Sequence, residues 1–198
     1  MTHTLPNGAA LSVVEGDITR IPVDGMVNAA NSDLAGGGGV DGAIHRAGGP
    51  PIRADLDAIR ARDGGCPTGS AVATTAGLLP ARWVFHAVGP VWKGGSHGEA
   101  DLLASCYHAA FRLAREKGAR SLSFPCISTG VYGYPAEEAA AVAVGAVLEE
   151  LAQGGVDRAL LVAFDAASRR TLESALKQAL SPETGRQNNE RSSTGVPK

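Results

Sequence analysis

Between Val27 and Gly42 the chain places four consecutive glycines, Gly36 to Gly39, behind the short amide side chains of Asn28 and Asn31 and ahead of the carboxylate of Asp41. Without Cβ atoms such a run lets its N–H groups approach a bound anion. A helix starting behind it would aim its positive end at the same point. The chemistry this implies is a phosphate cradle. A merely flexible surface loop would also tolerate the glycines, but flexibility requires neither hydrogen-bonding side chains upstream nor an apolar-flanked carboxylate downstream. A carboxylate facing a diphosphate would repel it, so Asp41 is expected to face a neutral sugar. The alternative is that Asp41 caps the following helix at Ala43 and Ile44.

A second small-residue turn runs from Pro125 through Cys126, Ile127, Ser128, Thr129, Gly130, Val131, Tyr132, Gly133 and Tyr134 to Pro135. Loops at the carboxyl ends of α/β strands are where ligands usually bind. Amides and hydroxyls here are suited to closing over phosphates while Tyr132 covers a sugar face; a plain strand-to-helix connection with a core tyrosine is the other reading.

Other chemistries are poorly supported. Gly37, Gly39 and Gly42 match the dinucleotide-binding spacing, but the acidic residue expected at the end of a second strand about 20 residues later is missing, because Asp55 and Asp57 fall in a helical pattern. His45, His86, His97 and His108 show no H-E-x-x-H spacing, and His45 reads as structural. Ser128 lies in no G-x-S-x-G elbow. Cys126 is expected to be inert packing on a buried strand. No metal and no cofactor is expected.

Short apolar runs alternate with helical patterns, which points to an α/β fold with a largely parallel sheet. Strands are predicted at Leu11–Val14, Gly25–Asn28, Ser70–Thr75, Trp83–Val88, Ser121–Ile127 and Ala159–Phe164. Helices are predicted at Asp41–Ala47, Ile52–Arg62, Ser168–Leu180, from about Leu102 to Lys117, where Gly118 ends the pattern, and from Pro135 to Gly154. A domain over 11–180 is expected between an N-terminal extension, 1–10, and a polar, disordered tail, 181–198.

The 198 residues carry a formal net charge of -2, with 44% hydrophobic and 19% charged residues. Such a chain can bury a full core, and it has no bulk basic field for gripping nucleic acid. Cys66, Cys106 and Cys126 are unpaired in pattern, and neither an export signal nor a membrane anchor is legible, so a cytoplasmic protein is expected. Trp83, Trp92 and Tyr134 suit either an interface or the core.

Taken together, Gly16-Asp17-Ile18-Thr19, Val27 to Asn31, Gly36 to Gly42 with Ala43-Ile44-His45-Arg46, and Ile127 to Pro135 resemble the macrodomain family, in particular its MacroD-type ADP-ribosyl hydrolases. The resemblance implies a three-layer α/β/α sandwich with a mixed central sheet and an ADP-ribose cleft across its crest. It implies that Asp17 accepts the adenine amino group beside the Ile18 amide, and that Phe164 packs on adenine. From the residues alone, Asp17 reads equally as a helix cap and Phe164 as core. Gly38, Gly39 and Val40 would line the distal ribose and diphosphate, with Ser128, Thr129, Gly130, Val131 and Tyr132 opposite. Asn31 and Asp41 match the pair that holds the distal ribose and supports hydrolysis, and Asn28 is expected to hold the loop. The implied partners are ADP-ribose and either ADP-ribosylated proteins or O-acetyl-ADP-ribose. The paired glutamates of poly-ADP-ribose glycohydrolases and the Cys/His set of zinc-dependent macrodomains are not in the sequence. A hydrolase, a non-catalytic ADP-ribose reader and, distantly, a nicotinamide dehydrogenase are the candidate functions.

Overall fold

The computed structural model describes residues 1–181, so all of the predicted polar tail except Ser181 lies outside the described residues. Its strands are β1 (Thr2–Thr4), β2 (Ala10–Glu15), β3 (Gly25–Ala29), β4 (Ala71–Thr75), β5 (Trp83–Ala87), β6 (Ser121–Phe124) and β7 (Arg158–Ala163). Helices follow as α1 (Gly39–Gly48), α2 (Pro50–Asp63), α3 (Glu99–Lys117), α4 (Ala136–Gln153) and α5 (Ala166–Ala179).

The strands form one sheet in the order β1-β2-β7-β6-β3-β5-β4. Neighbours from β2 to β5 run parallel, while β1 and β4 close the two edges antiparallel. The sheet is therefore mixed, not parallel throughout. The short link 76–82 can only return β5 beside β4 as a hairpin, whereas the parallel neighbours are joined through helices. The segment 1–10, expected to precede the domain, instead supplies the edge strand β1 and buries Leu5 and Ala9 in the core.

Side chains alternate between two cores. Val27, Phe85, Leu122 and Leu161 pack under α3, α4 and α5 on one face. Met26, Val84 and Val162 pack under α1 and α2 on the other. Burial on both faces explains why the central strands read as continuous apolar runs. The result is a three-layer α/β/α sandwich.

Two boundaries bear on the site. Strand β6 stops at Phe124, three residues short of the predicted end, because Pro125 has no N–H for the ladder. Helix α1 begins at Gly39, earlier than predicted, so Asp41 lies within its first turn. The carboxyl ends of β2, β3, β5, β6 and β7 all open on one edge of the sheet.

Candidate functional site

That edge carries a cleft of about 650 Å³, walled by the segments after β2, β3, β5, β6 and β7 and by the start of α1. All the residues singled out as site candidates line it. Its size suits a nucleotide-scale ligand.

On one wall, Gly38 is the N-cap of α1 and no side chain caps the helix. The first-turn N–H groups of Gly39, Val40 and Asp41 consequently have no protein acceptor among the described residues, and the first backbone bond is Gly42 N–H to Gly38 O at 3.1 Å. Three donors at the positive end of a helix make an anion site. Ahead of them Asn31 fixes the loop: its Nδ2 donates to Gly36 O at 2.9 Å and its Oδ1 accepts from Ala35 N–H at 3.1 Å. Loop-holding, expected of Asn28, is thus done by Asn31, which retains one N–H for the cleft.

Asp41 is buried on the cleft floor. Its Oδ1 accepts from Asn28 Nδ2 at 2.6 Å and lies 3.3 Å from His45 Nε2, one helical turn on. A carboxylate held in this way from β3 caps nothing, so the helix-capping alternative falls. Among the described residues Oδ2 accepts from no protein donor, and it crowds Gly37 closely enough that a Cβ there would stand 3.2 Å away. His45, read as merely structural, is in fact a partner of Asp41.

The opposite wall is the turn after β6. Thr129 Oγ1 donates to Cys126 O at 2.9 Å, Tyr134 N–H to Ser128 O at 3.0 Å and Gly133 N–H to Gly130 O at 2.9 Å. These bonds leave the amides of Gly130, Val131 and Tyr132 without protein acceptors among the described residues. Tyr132 is anchored through its carbonyl, which accepts from Trp92 N–H at 2.8 Å. Ser128 is buried in a left-handed conformation, φ 66°, with its hydroxyl unpartnered, a strained arrangement for a residue with a side chain. Because β6 ends early, Cys126 lies in this turn on the cleft wall and not on a buried strand; burial nonetheless pushes its thiol up to about 11, so it is a poor nucleophile.

At the far end, Asp17 caps the short 3-10 turn Ile18–Arg20, its Oδ1 accepting from Thr19 N–H at 3.0 Å and Thr19 Oγ1 at 2.7 Å. The hydroxyl bond above all holds its carboxyl below the usual range, so it is ionised at neutral pH. Among the described residues, the charged partner of Asp17 Oδ2 is exposed Arg20, at 3.6 Å. Ile18 is buried beneath this turn. Phe164 is 86% exposed beside it, which overturns the core alternative. Asp165, next in sequence, turns away to cap α5 through Ser168 N–H.

Sequence reasoning missed Thr74 and His86, which lie behind Asn28 on neighbouring strands and carry no local motif. Among the described residues no group of His, Cys, Asp and Glu is arranged to hold a metal ion, and no helix is long and apolar enough to cross a membrane.

Comparison with known proteins agrees with this architecture. The model of the Macro domain family matches residues 27–143. A Macro domain-containing protein of Cupriavidus necator is 56% identical over 160 residues, covering 80% of this chain and 92% of its own. O-acetyl-ADP-ribose deacetylase 2 of Pantoea vagans is 50% identical over 157 residues, covering 79% and 92%. The solved Oceanobacillus iheyensis macrodomain with ADP matches with a TM-score of 0.86 at 41% identity, over 90% of this chain and 95% of that one. With residues 27–143 matched by the family model, a sequence about half identical to curated relatives and the same fold as solved macrodomains, the chain belongs to the Macro domain family.

Proposed function

We propose that this chain binds ADP-ribose and hydrolyses its esters, removing mono-ADP-ribose from acidic side chains of modified proteins and deacetylating O-acetyl-ADP-ribose. The observation that carries the reading is Asp41: a carboxylate on the floor of a nucleotide-sized cleft, one oxygen held by Asn28 with His45 3.3 Å away, the other without a donor among the described residues, beside three unpaired amides at a helix N-terminus. The ADP-bound solved relative and the deacetylase relative support it.

In this reading the amides of α1 and of the turn 128–132 take the diphosphate, Phe164 covers the adenine, and Asp17 Oδ2 accepts the adenine amino group. Asn31 donates its remaining N–H to the distal ribose. Asp41 Oδ2 accepts a proton from a water molecule attacking the acyl carbon. The new C–O bond forms, the ester bond to the ribose oxygen breaks, and the proton passes to that oxygen, giving a carboxylic acid and ADP-ribose. On a protein ester, attack at the anomeric carbon gives the same products. Water labelled with ¹⁸O distinguishes the two routes, since acyl attack puts the label in the carboxylate.

The test compares wild type with Asp41→Ala on a protein mono-ADP-ribosylated at glutamate and on O-acetyl-ADP-ribose, with ADP-ribose binding followed by calorimetry. The variant is expected to bind and stay folded but to lose at least about tenfold in kcat, within the range for a general base. Tight binding with no turnover by wild type would establish a reader instead. One observation favours that second reading: both ends of the Asn31 amide are already engaged in holding the glycine loop.

A further inference from the structure

Asn28, His86 and Thr74 sit on one face of three adjacent strands, the face under α1. Asn28 is directly opposite His86 in the β3–β5 register, and Thr74 is diagonal to His86 across β4–β5. All three are buried, and they form a connected polar line to Asp41. Counting hydrogens fixes its direction. With the Thr74 hydroxyl proton on Thr75 O at 2.9 Å, Thr74 Oγ1 accepts from His86 Nε2, also at 2.9 Å, and Asn28 Nδ2, which can only donate to His86 Nδ1, requires the same direction. The imidazole proton is therefore on Nε2, and Nδ1 presents a lone pair. Asn28 Nδ2, 3.1 Å away, donates one hydrogen to it and the other to Asp41 Oδ1. The Asn28 carbonyl has no partner among the described residues, so it is the amide nitrogen that ties Asn28 to its neighbours. Burial drives His86 down to about 3, so the ring is neutral and keeps its lone pair at physiological pH.

We propose that Thr74 and His86 are positioning residues for the hydrolysis reaction, setting the His86 tautomer that turns both N–H groups of Asn28 away from its carbonyl and onto His86 and Asp41. The inference rests on the hydrolase reading of Asp41. With Asn28 always donating to Oδ1, Oδ2 is the oxygen left for water or a ribose hydroxyl. Without the Thr74 hydroxyl, His86 is free to carry its proton on Nδ1. That proton would oppose the Asn28 N–H, the amide would turn, and its carbonyl would face the Asp41 carboxylate and push it out of place.

Thr74→Val removes the hydroxyl while keeping a β-branched strand residue, and Thr74→Ser restores it. In wild type the ¹⁵N spectrum of His86 is expected to show a protonated Nε2 and an unprotonated Nδ1; in Thr74→Val this preference is lost. The same variant should lower kcat on O-acetyl-ADP-ribose by on the order of tenfold, with KM and ADP affinity changed less than about twofold, and Thr74→Ser should recover most of the rate. A folded Thr74→Val that turns over like wild type, or one whose loss Thr74→Ser does not rescue, overturns the proposal. If wild type hydrolyses neither ester, the hydrolase reading fails and the catalytic role of Thr74 and His86 falls with it, while the spectrum still decides the structural half: a wild-type ring protonated on Nδ1 overturns the assigned tautomer whether or not the protein is a hydrolase.

Discussion

Phe164 and Val131 are large apolar side chains left in water, 86% and 101% exposed, as Leu78 is, at 81%, away from the cleft. Both lie on the cleft. A phenylalanine that packs against nothing in its own fold contributes little to stability, so truncating it tests ligand contact alone. Phe164→Ala is expected to leave the unfolding free energy within about 0.5 kcal/mol of wild type while weakening ADP binding by about 1–3 kcal/mol, the worth of one base stacked on an aromatic ring. Calorimetry with ADP and with ribose 5-phosphate checks it: if affinity for ADP is unchanged, or both ligands weaken equally, Phe164 is not the adenine platform. The sequence made Phe164 ambiguous because an aromatic residue at a strand end looks the same whether it turns inward or out. Asp41 was legible because it stands a few residues from the glycines it serves. Asn28, His86 and Thr74 were not, because their relation exists only once β3, β5 and β4 are in register.

At the scale of the element, the glycine loop and α1 form one device, and its glycines serve different ends. Gly38 has extended backbone, φ -92° and ψ -167°, and a Cβ there would meet nothing within 4 Å, so its space belongs to the cleft. Gly42, inside α1, would drive a Cβ to 2.6 Å from the carbonyl oxygen of Gly37. Gly38→Val should therefore fold within about 1 kcal/mol of wild type and weaken ADP binding without abolishing it. Gly42→Ala should destabilise by about 1–3 kcal/mol, although alanine is by itself the better helix former by about 1 kcal/mol. Denaturant curves paired with ADP titrations separate the two; a Gly38→Val protein that binds ADP as wild type does would show that the first turn of α1 does not face the ligand. The end of α3 was readable from such punctuation, Gly118 being its left-handed C-cap. Strand β1 was not, because three residues carry no periodicity and become a strand only by pairing with β2.

Across the whole molecule, two groups far apart make stability depend on pH in the same direction. His86 has an ordinary value of 6.5 and is pushed down to about 3, first by burial and then by the nearby His45, against a smaller upward pull from Asp55. An unfolded chain takes up that proton near pH 6.5, whereas the folded one refuses it until about pH 3. Between those limits the unfolded state binds more protons, so stability falls as the solution is acidified, by up to about 1.4 kcal/mol per pH unit for one group. Glu99 ties down the segment ahead of α3. Its burial alone would raise its value, but backbone N–H groups, including those of His97, Gly95 and Lys93, outweigh this and hold it at about 2 against an ordinary 4.5. Its contribution is complete above pH 4.5 and is lost as pH falls towards 2. The expected profile is a urea midpoint that declines from about pH 6.5 and steepens below about pH 4.5, with Glu99→Gln making the steeper part shallower and leaving the decline above it unchanged. A midpoint flat from about pH 7.5 to 5 would mean that His86 takes up its proton as readily in the folded chain as in the unfolded one. The neutral imidazole behind Asn28 would then be absent, and the link between the sheet and Asp41 would have to run with its hydrogens reversed.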